Sequence, residues 1–170
     1  MTAKGPRGTE IIEALKEAGV RHVAALPDIT TSDGLLWPLS QDGDLNLIRL
    51  SKEDEGVSIC AALAYCEKRA VLLMQQTGLM DSLNNIRAVG CDYNQPVCMI
   101  VGLLGKEANM SPSDSKSFGV RIIEPVLDAM EIDHLLIEGP EDVQNLPPAI
   151  DQAYQTSRPV VALIGRSVEQ

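Results

Sequence analysis

Glu53, Asp54 and Glu55 sit in Ser51-Lys52-Glu53-Asp54-Glu55-Gly56, directly after a short aliphatic run. Carboxylates at such a junction can accept, hold or return a proton. The same residues also suit a plain helix start, where acids meet the positive end of the helix dipole and free backbone donors. Three other segments follow aliphatic runs in the same way: Leu26-Pro27-Asp28-Ile29-Thr30-Thr31, Gln75-Gln76-Thr77-Gly78, and Gly102 to Gly119. Ligands of a parallel α/β sheet bind beyond the carboxyl ends of its strands, so these four segments are where chemistry is to be sought. The sequence holds no Gly-rich phosphate loop with Lys and Ser, no dinucleotide glycine fingerprint and no nucleophile elbow. His22 and His134 open predicted strands, at the opposite end from that chemistry, and read as structural.

The elements that must position these residues follow from the hydrophobic pattern. The runs His22 to Leu26, Leu47 to Leu50, Ala70 to Gln75, Val97 to Gly102, His134 to Ile137 and Val160 to Ile164 predict about six strands. Between them, helical spacing predicts helices over Thr9 to Ala18, Leu35 to Leu39, Glu53 to Cys66, Leu79 to Val89, Val120 to Met130 and Glu141 to Tyr154. Alternation of this kind implies crossover connections, hence an α/β fold: a three-layer parallel sheet with helices on both faces. Gly105 to Gly119 is the longest stretch without a pattern. Its length and polarity fit either a binding loop that closes over a ligand or a tolerated insertion. Lys106 and Lys116 within it are candidates for contact with an anionic substrate.

At 170 residues the chain fits a single domain, 1–170, with a full core. Only 3% of its residues are aromatic, so that core must be aliphatic. A net charge of −10 repels phosphate backbones and anionic lipid, which argues against nucleic-acid and membrane partners. No apolar run approaches the roughly 20 residues that span a bilayer. The N-terminus is polar, and a cytoplasmic, non-secreted protein is expected. Cys60, Cys66, Cys91 and Cys98 lack Cys-x-x-Cys spacing and read as reduced core residues.

Two blocks carry a resemblance. Lys52-Glu53-Asp54-Glu55-Gly56-Val57-Ser58-Ile59-Cys60-Ala61-Ala62 and Met74-Gln75-Gln76-Thr77-Gly78-Leu79-Met80-Asp81-Ser82-Leu83-Asn84-Asn85 resemble the pyrimidine-binding domains of thiamine diphosphate enzymes. The decarboxylases of sulfopyruvate and phosphonopyruvate are the most similar members. That family has an acid followed by small residues in the first block, and Met-Gln-Asn-Ser-Gly-Leu-Gly-Asn in the second. Leu26-Pro27-Asp28 looks like its Val-Pro-Asp loop, except that Ile29 to Asp33 is inserted before Gly34-Leu35-Leu36.

The resemblance implies the thiamine diphosphate-binding fold and a role for each block. Glu53 is then the catalytic carboxylate, hydrogen-bonded to a ring nitrogen of the cofactor's aminopyrimidine, where it assists proton removal from the thiazolium carbon. Pro27, Asp28, Gln76, Thr77 and Gly78 are the implied cofactor-binding residues, with Asp54 and Glu55 solvated or capping. The substrate is a small anionic 2-oxo acid, which loses carbon dioxide. The family's Gly-Asp-Gly…Asn signature for magnesium and diphosphate does not occur in this sequence, so the resemblance implies a separate beta subunit holding Mg2+ and no metal ligands here. Separate subunits favour sulfopyruvate over phosphonopyruvate or another 2-oxo acid. From another class, a non-catalytic α/β ligand-binding or regulatory module could use the same strand-end cleft.

Overall fold

The computed structural model describes residues 4–170. Its centre is an all-parallel sheet of six strands: β1 (His22–Ala25), β2 (Asn46–Arg49), β3 (Ala70–Gln75), β4 (Cys98–Gly102), β5 (Asp133–Ile137) and β6 (Val160–Ile164). They lie in the order β2-β1-β3-β4-β6-β5. Parallel pairing needs long crossovers, and the helices supply them. Among the described residues these are α1 (Gly8–Glu17), α2 (Trp37–Gln41), α3 (Glu53–Tyr65), α4 (Gln76–Asp81), α5 (Leu83–Asn85), α6 (Phe118–Arg121), α7 (Ile123–Ala129) and α8 (Leu146–Thr156).

The two-residue period of the strands divides the core into two layers. Val23, Ala25, Val71, Leu73, Cys98 and Ile100 face α1, α2 and α8. Ala24, Leu72, Met74, Met99 and Val101 face α3, α4 and α7. Strands β3, β4 and β6 are buried almost throughout, whereas the edge strands β2 and β5 are partly exposed. The runs over β3 and β6 end where the pattern predicts. The edge strands each begin one residue early, at polar Asn46 and Asp133, because pairing rather than burial sets an edge strand's limits.

Three predicted helices are interrupted, each for a local reason. Leu79 to Val89 forms α4, α5 and then a π-helical segment, Ile86–Asp92, with the break at Ser82, whose N–H is shared between the Gly78 and Leu79 carbonyls. Val120 to Met130 starts early, at Phe118, and breaks at Ile122. Pro125 in the next turn has no N–H to donate back to Arg121. Glu141 to Tyr154 begins as a 3-10 turn, Pro140–Asn145, and becomes α-helical at Leu146, where Pro147 and Pro148 cannot bond to the preceding turn. Leu35 to Leu39 lies within a π-helical turn, Ser32–Leu36, that runs into α2.

The cysteines divide differently from the sequence expectation. Cys60 and Cys98 are buried, and burial pushes the Cys60 thiol up to about 12. Cys91 is only half-buried, and Cys66, at the end of α3, is exposed because the helix terminates there in solvent. The first and last described segments pair with one another. Glu169 N–H donates to the Pro6 carbonyl at 2.9 Å and Gly8 N–H to the Glu169 carbonyl at 2.8 Å, while Val168 N–H bonds Thr30 O at 3.1 Å. Among the described residues no helix is long and apolar enough to cross a membrane.

Candidate active site

In the strand order β2-β1-β3 the chain moves outward to β2 and then returns to the other side of β1, so β1 and β3 flank a topological switch point. Crevices form outside the carboxyl ends of strands at such points. A cleft of about 360 Å³ lies here, between Pro27, Asp28 and Ile29 after β1 and Gln75 at the end of β3.

The acidic junction approaches from β2. Backbone pairing continues to Leu50, whose N–H donates to Ala25 O at 3.1 Å, and Lys52 is extended before α3 begins at Glu53. Glu55 turns back as a cap, accepting Ser51 N–H at 3.1 Å and Lys52 N–H at 3.3 Å. Asp54 lies 3.4 Å from Lys52 Nζ, which also reaches Asp81 at 3.2 Å and so ties α3 to α4. Glu53 differs from both neighbours. It is half-buried, and its carboxylate has no hydrogen bond or ion pair with any described residue. Its side chain lies on Gly78, where an added Cβ would stand 2.2 Å from Glu53 Cγ and 2.6 Å from Oε1. Only glycine at position 78 leaves the carboxylate this path.

The remaining sequence candidates separate into walls and braces. Pro27 borders the cleft, and Thr77 is exposed at the start of α4, where its hydroxyl accepts from Gln75 Nε2 at 2.8 Å. Gln76 is buried, and its amide pairs both ways with the main chain of Leu104, each bond 2.9 Å. Asp28 is also buried. One oxygen accepts Thr30 N–H at 2.6 Å and Thr31 N–H at 3.2 Å, and the other accepts the Thr31 hydroxyl. Gly102 makes room for it, since a Cβ there would lie 2.6 Å from Asp28 Oδ1. Gln76 and Asp28 thus shape the loops around the cleft and spend their polar groups doing so.

Asn85 was not singled out by sequence reasoning. It donates to Asp54 O at 2.7 Å and to Ser58 Oγ at 3.1 Å, fastening the first turn of α3 to α5. It stands in the second resemblance block, so a polar residue among helical apolar positions was the available signal.

Lys106 corrects an expectation. Its side chain is fully buried and ion-paired with Glu138, which follows β5, and it donates to Glu107 O at 3.2 Å, so it is not offered to a ligand. Glu107 braces the rest of that loop by accepting Ser115 Oγ at 2.8 Å and Lys116 N–H at 3.2 Å. The Ser115 bond leads the effects that hold its carboxyl below the usual range. The histidines stay at the amino ends of β1 and β5. Among the described residues no group of three or more His, Cys, Asp or Glu side chains is placed to hold a metal ion.

These features define a class: a parallel α/β protein with a cleft at its topological switch point and, on the strand-to-helix junction after β2, a half-buried carboxylate with no partner among the described residues. By sequence, the chain is similar to the sulfopyruvate decarboxylase subunit alpha of Methanocaldococcus jannaschii, 27% identical over 154 residues, covering 90% of this chain and 89% of that one. It is also similar to the sulfopyruvate decarboxylase of Methanosarcina acetivorans, 26% identical over 161 residues, covering 94% of this chain and 40% of that longer protein. A Methanothermobacter thermautotrophicus sulfopyruvate decarboxylase subunit alpha is 23% identical over 155 residues, 91% of this chain and 92% of its own. No family model matches the chain.

Proposed function

We propose that this chain is the alpha subunit of a thiamine diphosphate-dependent decarboxylase that converts sulfopyruvate to sulfoacetaldehyde and carbon dioxide. Residues 1–170 act as its pyrimidine-binding domain, and a separate beta subunit carries Mg2+ and the diphosphate. The observation that carries the reading is Glu53: half-buried, without a donor among the described residues, and held against Gly78 in the helix that follows β3. Such a carboxylate fits a ligand that brings its own N–H donor, as a protonated ring nitrogen does. When bound, thiamine diphosphate supplies the electron-accepting thiazolium at which a 2-oxo acid loses carbon dioxide.

The chain's own residues bind and orient. Glu53 would accept a hydrogen bond from the aminopyrimidine and share its proton, with Gly78, Pro27 and Thr77 as the residues that would hold the ring. Gln76 and Asp28 fix the loops from beneath. Ile29, 77% exposed beside the cleft, gives the beta subunit an apolar surface to cover, which would also exclude water from the reacting carbon. The relatives named subunit alpha support a two-chain enzyme, and the longer Methanosarcina acetivorans protein has room for both halves.

The test is reconstitution. Purified alone, the chain should fold yet release no carbon dioxide from a panel of 2-oxo acids. Activity should appear on adding a partner that carries the Gly-Asp-Gly…Asn signature, with sulfopyruvate preferred. Decarboxylation, or tight thiamine diphosphate binding, by the chain alone would overturn the half-site assignment.

A further inference from the structure

On the far side of the Pro27–Asp33 loop lies a second, larger cavity of about 470 Å³. Leu36 and Trp37 wall it on one side, Leu47 and Arg49 of the edge strand β2 on the other. It shares Pro27, Ser32 and Asp33 with the switch-point cleft, so the two hollows meet across one lip.

Charge gives this cavity its meaning. The other cations near the carboxyl ends of the strands are committed or outside it. Lys52 is held by Asp54 and Asp81, and Lys106 is buried against Glu138. Arg166 donates to Ala108 O, and Arg121 donates to the carbonyls of Ser115 and Lys116. Lys116 is exposed and borders neither hollow. Arg49 points the same way from β2 as Leu47, into the cavity, and makes no hydrogen bond or ion pair with any described residue. Asp33, on the shared lip, has none either, and it is the one group there that an anion must avoid.

We infer that Arg49 is the subsite for the second anionic group of the substrate, a sulfonate or phosphonate carried beyond the keto carbon of a 2-oxo acid. This rests on the decarboxylase reading and adds to it the residue that selects a dianion. A guanidinium is permanently charged and presents a planar fork of donors to a tetrahedral oxyanion. Arg49 is exposed on the edge strand, so an incoming anion reaches it without displacing an internal partner, and Leu36, Leu47 and Trp37 offer apolar contact to the carbon between the two charges. With its oxo-acid end in the cleft beside Gln75, a short substrate directs its far end over Pro27 towards Arg49.

The test uses the assembled complex and two readouts. Steady-state decarboxylation of sulfopyruvate is compared with that of monoanionic 2-oxobutyrate for the native chain, Arg49→Gln, Arg49→Lys and Asp33→Asn. Separately, binding of 3-sulfopropionate, which has no keto group, is titrated by calorimetry. Arg49→Gln should raise KM for sulfopyruvate about tenfold or more, leave kcat/KM for 2-oxobutyrate unchanged, and weaken 3-sulfopropionate to a similar degree. Arg49→Lys should restore part of the loss, and Asp33→Asn should lower KM for the dianion. Equal losses on both substrates, or weaker anion binding in Asp33→Asn as a zwitterionic ligand would require, overturn the assignment. Arg49-dependent binding of 3-sulfopropionate without decarboxylation of any 2-oxo acid would keep the subsite and overturn the decarboxylase reading. Decarboxylation indifferent to Arg49 would do the reverse.

Discussion

At the scale of single residues, the three neighbouring acids have three different fates. Glu55 is consumed in capping, Asp54 in a surface pair, and Glu53 alone remains available. In the reconstituted enzyme, Glu53→Gln should therefore lower kcat a hundredfold or more, about 2.7 kcal/mol of barrier, with assembly unchanged. Glu55→Gln should cost about 1 kcal/mol of stability through the weakened cap and change kcat little. Thermal melts and single-turnover rates on both variants separate these outcomes, and a larger kcat loss in Glu55→Gln would reverse the assignment. The position of Glu53 was legible in the sequence because the acid, the small residues after it and the later glycine lie in two continuous blocks. The duties of Gln76 and Asp28 were not. Both are cofactor candidates by position, yet the partners that engage them, Leu104 and Thr30–Thr31, are set by how loops pack after the chain folds.

At the scale of elements, a few polar contacts pin helices to the sheet. Tyr154 on α8 accepts the Ala70 N–H at the start of β3 at 2.9 Å, with Arg69 stacked 4.9 Å from its ring centre. Tyr154→Phe leaves that backbone donor unpaired, so denaturant unfolding should show a loss of about 1–3 kcal/mol. The start of α2's exit turn is tied to α1 by Lys16 and Asp42, 2.6 Å apart. The Lys16 bond holds the Asp42 carboxyl below its ordinary range, and the same bond raises Lys16 to about 12. Because the folded pKa of Asp42 is lowered, the pair contributes fully above the ordinary carboxyl pKa of about 3.9 and is lost as pH falls through the lowered value. Between about pH 5 and pH 3 the melting temperature of Asp42→Asn should fall less steeply than that of the native chain; parallel slopes would show that Asp42 does not contribute. The sheet itself was readable because buried parallel strands are nearly continuous aliphatic runs. The helix interruptions at Ser82, Ile122 and Asn145 were less so. Apolar spacing survives across a break, as Leu79 and Ile86 both stay fully buried, so periodicity reports the buried face rather than the hydrogen bonding.

At the scale of the whole molecule, the two hollows, the uncommitted Glu53 and the exposed Ile29 all lie around the carboxyl ends of β1, β2 and β3. The histidines and the amino ends of the strands lie opposite. The beta subunit proposed above would therefore approach from one end of the sheet, leaving the other free. The pairing of Pro6 and Gly8 with Glu169 adds a separate opportunity, because a short flexible linker from Glu169 to Pro6 would join positions that are already adjacent without disturbing the sheet. New ends can be cut at Asn94, in the turn between the π-helical segment and β4, where the backbone is left-handed at φ 51°. Such a circular permutant should keep the far-ultraviolet spectrum and cooperative melt of the parent, since surface turns tolerate cutting and nearby termini tolerate joining. A permutant that fails to fold would mean that the Glu169 contacts form only when the ends are free. If it folds, any strand-to-helix connection away from the cleft becomes a place to attach a probe, and association with the proposed beta subunit can be followed by fluorescence from a dye at the new terminus.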